Sequence, residues 1–120
     1  MTLLSRQAET LVCEWLMERG WAILERNYRT RRSEVDIIAS REDVLAAVEV
    51  KLATDGSATM ALEKIDPAKQ TRICHGTLHY LSNREFPGEI RFDVAVVRGS
   101  PGDLRMELYL EDAFRPEARF

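Results

Sequence analysis

A chain of 120 residues, 45% hydrophobic and 31% charged, has the length and balance of one soluble globular domain. No apolar run approaches the roughly 18 residues of a membrane span, and Cys13 and Cys74 are too few for a disulfide framework and lack metal-ligand spacing. A net charge of −3 argues against avid non-specific binding of nucleic acid.

The first predicted element is an amphipathic helix over residues 4 to 19. Leu4, Ala8, Leu11, Val12, Trp15 and Leu16 recur at spacings of three and four, with Ser5 as a possible N-cap and Gly20 as the stop. Met1 to Leu4 is too short to be the apolar part of a secretory signal and Arg6 follows at once, so a cytoplasmic location with reduced cysteines is expected. Glu9 lies at the edge of the apolar stripe, where a carboxylate is either an ordinary boundary residue or a group that reaches a site above the sheet. Trp21 to Arg26 reads as a first strand, with Trp21, Ile23 and Tyr28 as packing residues. The stretch from Arg29 to Ser33 reads as a basic turn. Arg29, Arg31 and Arg32 suit bidentate contact with phosphate, though a solvated loop has the same composition.

Two apolar runs follow, Val35 to Ala39 and Val44 to Leu52, broken by Ser40 to Asp43. They read as a hairpin. A turn centred on Glu42 and Asp43 sets Asp36 opposite Glu49, on the same side of the sheet. Period two brings Glu34 and Lys51 to that side and leaves Val35, Ile37, Ala39, Ala46, Val48, Val50 and Leu52 on the other. Facing carboxylates repel, and one pKa rises. A hard divalent cation between them removes the conflict. Mg²⁺ is typically held by one or two carboxylates, with water and substrate phosphate completing its shell. A lysine beside such a pair can orient water and stabilise charge on phosphate. The chemistry suited to Asp36, Glu49 and Lys51 is therefore metal-assisted hydrolysis of a phosphodiester, with Mg²⁺, or Mn²⁺ in its place, held by Asp36 and Glu49.

Ala53 to Met60, rich in Gly, Ser and Thr, reads as a loop. Thr54, Ser57 and Thr59 could touch phosphate there, although a plain connector has the same composition. Asp66-Pro67 is a helix start, and the helix runs to about Leu81 with Ile73, Thr77, Leu78 and Leu81 on its inner face. Gln70 lies on or near that face, placed to hydrogen-bond the site or a structural partner. Lys69 and Arg72 are expected to face outward, toward backbone phosphate. His75 and His79 have zinc-ligand spacing but no third ligand, so a solvated pair is expected. Glu89 to Val97 reads as a strand with Ile90, Phe92, Val94 and Val96 on one face. Asp93 shares the other face with Arg91 and is either its ion-pair partner or a structural acid near the site. Leu104 to Leu110 alternates, with Leu104, Met106, Leu108 and Leu110 inward and Arg105, Glu107 and Tyr109 outward, as an edge strand would. The core then spans about 5 to 111, with a tail over 112 to 120 that carries Phe114, Pro116 and Phe120.

Asp36 followed by Glu49-Val50-Lys51 resembles the core motif of the PD-(D/E)xK nucleases. A longer series of matches carries more weight. Ala8-Glu9, Arg26-Asn27-Tyr28-Arg29, Glu34-Val35-Asp36-Ile37-Ile38-Ala39, Val48-Glu49-Val50-Lys51, Asp66-Pro67-Ala68-Lys69-Gln70 and Arg91-Phe92-Asp93-Val94 occur in order. Over residues 5 to 98 the chain is similar to the YraN-like family of small bacterial proteins. That resemblance implies an α/β, restriction-endonuclease-like three-layer fold, a central mixed sheet flanked by helices. It also implies a role in binding or cutting nucleic acid, with branched (Holliday-junction-like) or damaged DNA as candidate substrates and Glu9 and Gln70 supporting Asp36, Glu49 and Lys51. Ser5 and Ser33 stand where the family commonly has glycine. Ala53 stands where a basic residue is common, which removes one phosphate contact. Two other readings stay open: a non-catalytic nucleic-acid-binding module, and a scaffold in which the carboxylates and Lys51 form a structural ion pair. Cutting both strands of a duplex would imply a homodimer.

Overall fold

A computed structural model describes residues 2–53 and 56–116. Its elements in order are α1 (Leu3–Glu18), β1 (Ala22–Arg29), β2 (Glu34–Arg41), β3 (Val44–Ala53), α2 (Ala58–Glu63), α3 (Pro67–Leu81), β4 (Glu89–Ser100) and β5 (Asp103–Leu110). The five strands form one sheet in the order β1-β2-β3-β4-β5. Neighbours are antiparallel except β3 and β4, which run parallel and are joined by α2 and α3. A parallel pair needs such a crossover, and a helix is its usual form.

The sheet separates two apolar layers. Ala8, Val12, Cys13 and Leu16 of α1 pack with Trp21, Ile37, Ala39, Ala46, Val48, Ala95 and Val97. On the other face Ala61 of α2 and Ile73, Cys74 and Tyr80 of α3 pack with Ile38, Leu45, Ala47, Phe92, Val94 and Val96. This is the expected three-layer α/β architecture. Leu16 is fully buried in its layer, so truncating it to Ala would cost about 2–5 kcal/mol. Among the described residues no helix is long and apolar enough to cross a membrane.

Caps set the helix starts. Thr2 accepts from the Ser5 N–H, and Asp66 accepts from the Lys69 N–H with Pro67 next to it, as Asp-Pro predicts. Gly76 lets α3 approach the β1–β2 turn. A Cβ at that position would lie 2.9 Å from Val35 Cγ2 and 3.0 Å from Ser33 Oγ, so a larger residue would push the helix off the turn.

Five expectations of the fold need correction. Ser5 does not cap α1; Thr2 does, and the helix starts at Leu3. β1 continues through Tyr28 to Arg29, past the expected end at Arg26. The stretch read as a loop contains α2, because Ser57 caps it by accepting from the Met60 N–H and good helix formers follow. Ser57 and Thr59 thus belong to a helix start; Thr54 lies outside the described residues. Val35 packs in the α3 layer, not beside Ile37. Alternation holds only while a strand is evenly pleated. The β2–β3 ladder closes at Ile37↔Val48, and the partner strand β1 carries a residue with φ of 51° at Asn27. Finally, Tyr109 is not outward. The register of β4 and β5 shifts between Val96↔Leu108 and Val97↔Met106. That bulge turns Leu108 toward the α3 layer and Tyr109 toward α1, where its ring stacks on Trp15 at 4.6 Å. In the tail Phe114 stacks on Phe92 at 5.4 Å, while Phe120 lies outside the described residues.

Candidate functional site

The hairpin forms in the expected register. Ile37↔Val48 through Arg41↔Val44 are paired, and Glu42 takes the positive φ of 54° that the two-residue turn demands. Beyond Ile37 the strands part. β2 stays paired to β1 as far as Arg29↔Glu34, and β3 stays paired to β4 as far as Ala53↔Arg98. The fork between them opens the sheet. Asp36 stands at its vertex, and its Oδ2 accepts the Val50 N–H at 2.8 Å. A carboxylate thus replaces the ladder bond that β2 no longer supplies.

Glu49 is buried on the α3 side of β3. Its Oε1 is 2.8 Å from Lys69 Nζ and 3.7 Å from Lys51 Nζ. Lys69 was expected to point outward; instead it turns in from the first turn of α3 onto Glu49. A side chain near a helix start leans toward the N-terminal end, and here that end faces the fork. Burial, contact with Lys69 and its positive charge all hold the Lys51 ammonium below its usual pKa. Lys69 moves the other way: burial opposes its charge, but the Glu49 carboxylate outweighs it and raises the pKa.

Asp36 is the perturbed acid. Burial raises its pKa first and the Glu49 charge next; the Val50 N–H pulls it back, Glu9 and Glu34 push it further, and the result is about 8. Glu9 reaches the same neighbourhood from α1. It is buried, its pKa is raised chiefly by burial, and its Oε1 has no hydrogen-bond partner. A buried carboxylate oxygen without a donor is uncommon and marks a place where a further ligand would be welcome.

Asp36, Glu49, Glu34, Lys69 and Arg72 line a cavity of about 520 Å³ together with the turn Arg29–Ser33. The expected basic residues Arg29, Arg31, Arg32, Lys69 and Arg72 therefore share one cavity with the two carboxylates. Arg29 also pairs with Glu34 at 3.4 Å. Lys51 approaches the same Glu49 Oε1 as Lys69 and lines a separate hollow with Ser5, Ala8 and Lys64. Gln70 is not brought to the carboxylates. Its Nε2 donates to the Ile65 carbonyl at 3.2 Å, and it lines an apolar hollow with Val94 and Phe114. His79 is not simply solvated, since its Nδ1 is 2.6 Å from Tyr28 Oη. Asp93 is the ion-pair partner of Arg91, at 2.9 Å.

Among the described residues no three His, Cys, Asp or Glu side chains are grouped closely enough to hold a metal ion between them. The donors present are hard oxygens from two carboxylates, with the unpartnered oxygen of Glu9 close by. That set fits a cation that keeps most of its shell as water and phosphate, as Mg²⁺ does, and does not fit zinc.

Fold and site together define a small three-layer α/β protein with an acidic pair at the base of an arginine-rich cavity. Residues 8–97 match the uncharacterised protein family UPF0102, the YraN-like family, and the chain belongs to it. It is 39% identical to a UPF0102 protein of Anaeromyxobacter dehalogenans over 87% of this chain and 78% of that one. It is 35% identical to a UPF0102 protein of Nitrosococcus oceani over 93% and 91% of the two chains. It is 36% identical to one of Dictyoglomus turgidum over 92% and 96%.

Proposed function

We propose that this protein is a metal-dependent nuclease that hydrolyses phosphodiester bonds, with DNA as the substrate, branched or damaged DNA in particular. The observation that supports it is the meeting of Asp36 and Glu49 at the fork of β2 and β3, beneath Arg29, Arg31, Arg32, Lys69 and Arg72. A structural ion cluster has no need of that arginine wall. A phosphate backbone does, because guanidinium groups bind its oxygens bidentately.

Asp36 and Glu49 would hold Mg²⁺, which when bound supplies Lewis acidity and acidifies water. Lys69 and Arg72 face the cavity and hold the phosphate oxygens. Lys51, with its charge weakened by burial and by Lys69, lies 3.7 Å from Glu49 Oε1 and would orient the attacking water. Glu9 fixes water at the α1 side of the carboxylates.

One observation favours a second reading. Two lysines already neutralise Glu49, so the cluster could be complete without a metal, as in a module that binds nucleic acid and does not cut it. Titration with Mn²⁺ and Mg²⁺, wild type beside Asp36→Asn, followed by cleavage assays on junction, flap and single-stranded DNA, separates the two. The nuclease reading expects saturable metal binding lost in Asp36→Asn. It also expects cleavage that Lys51→Ala lowers by 100-fold or more while metal affinity stays within about threefold. DNA binding without cleavage in any metal would leave the binding module. Cleavage undiminished in Lys51→Ala would remove that residue's role.

A further inference from the structure

The arginine wall has two sides. Thr30, Arg31, Arg32, Ser33 and Arg72 line the carboxylate cavity on one side and a second hollow of about 920 Å³ on the other. The far wall of that hollow is Thr71, His75 and His79 of α3. Its chemistry differs from the first. Among the described residues its lining holds no carboxylate, and it offers two exposed histidines one helical turn apart. One of them is held in place: Tyr28 Oη lies 2.6 Å from His79 Nδ1, with the rings 5.9 Å apart, and Tyr28 in turn sits edge-on against Tyr80 at 5.3 Å. A ring fixed this way loses little entropy when a second flat group stacks on it.

We infer that this second hollow receives one unpaired nucleotide of the substrate, its base stacked on His75 and His79 and its phosphate held by Arg31, Arg32 and Arg72. This rests on the proposed nuclease reading and names its substrate class: DNA with an unpaired nucleotide next to the reacting phosphate, not continuous duplex. Base edges and faces are open to such stacking only when a nucleotide leaves the helix, and imidazole and guanidinium planes are its usual platforms. The five shared residues make the geometric link. A strand whose phosphate lies over Asp36 and Glu49 crosses that wall to reach the histidines. A paired duplex has no base free to follow.

Binding is measured by fluorescence anisotropy in metal-free buffer with labelled oligothymidine of twelve nucleotides and with a twelve-pair duplex. Wild type is expected to prefer the single strand. His75→Ala with His79→Ala is expected to lose about tenfold in affinity for the single strand and almost none for the duplex. His75→Phe with His79→Phe, which keeps two flat rings and removes their polarity, is expected to retain the preference. Thermal melting confirms that the variants fold, and Thr71→Trp, which fills the hollow from a half-buried position on α3, serves as an independent block. Equal losses on both ligands, or a preference untouched by the alanine pair and by Thr71→Trp, overturn the inference and leave the nuclease proposal standing. Binding of neither DNA by wild type overturns both.

Discussion

Asp36 and Asp93 are aspartates in the same sheet with opposite surroundings. Asp93, on β4, has no exposed surface and every oxygen is met by donors. Arg91 donates from Nε and Nη2 at 2.9 Å, Tyr109 from its hydroxyl at 2.7 Å and Asp112 from its backbone at 2.9 Å. Asp36, on β2, accepts one backbone N–H; the charges of Glu49, Glu9 and Glu34 oppose its own, and Lys51 and Lys69 feel its charge from beside Glu49. Around Asp93 the charge is satisfied, and the fold is held together at the tail. Around Asp36 the charge is frustrated, and the frustration would be relieved by a cation. A structure that tolerates such a conflict at one acid, while resolving it at the other, separates a site from a strut.

The largest effect is expected at the strut. Asp93→Ala leaves the half-buried Arg91 with the exposed Glu111 carboxylate at 3.7 Å and removes the acceptor of the Tyr109 hydroxyl and the Asp112 N–H. Stability in urea should fall by about 3–5 kcal/mol. A loss under 1 kcal/mol would mean that water replaces the carboxylate and that the comparison is false. Asp36→Asn should act in the other direction. The folded pKa of Asp36, about 8, lies above its ordinary value of 3.8. The folded state therefore binds more protons than the unfolded state between those values. Stability falls as pH rises across that window, because ionising Asp36 in place costs more than ionising it in the unfolded chain. In metal-free buffer Asp36→Asn should flatten that decline and gain roughly 1–3 kcal/mol over wild type at pH 8. Saturating Mn²⁺ should flatten it too in wild type. Parallel pH profiles for wild type and variant would show that Asp36 is not the frustrated group.

The contrast was partly legible in the sequence. The hairpin register, and with it the approach of Asp36 and Glu49, follows from a two-residue turn between short apolar runs. The Arg91 partnership of Asp93 follows from period two. What could not be read depends on departures from regularity. One residue of slack opposite Val96 and Val97 turned Tyr109 inward, and with it came the third donor to Asp93. The fork after Ile37 moved Val35 to the other layer. Lys69 was misjudged because helical phase locates a Cα, whereas a four-carbon side chain chooses among several directions. The cap Asp66 that begins α3 was a usable signal, since it puts Lys69 in the first turn, on the end of the helix that meets the fork. The membership of Gln70 was suggested by its place in a motif, and its hydrogen bond to Ile65 shows a local alternative that spacing cannot exclude.

Glu9 tests which of the two kinds a third acid belongs to, and the expected effect on stability is the smallest. It is buried like Asp93, yet Oε1 lacks a partner among the described residues, while the Asn27 side chain hydrogen-bonds the carboxylate. If Glu9 is a strut, removing its charge breaks a structural bond. If it belongs to the site, its orphan oxygen serves a water beside the carboxylates. Glu9→Gln keeps shape and volume while removing the charge. The site reading expects stability within about 0.5 kcal/mol of wild type and Mn²⁺ affinity lowered by about tenfold, the usual cost of losing a group that orients a metal's water. A drop of 2 kcal/mol or more with unchanged metal affinity would move Glu9 to the side of Asp93. The acidic pair would then act without help from α1.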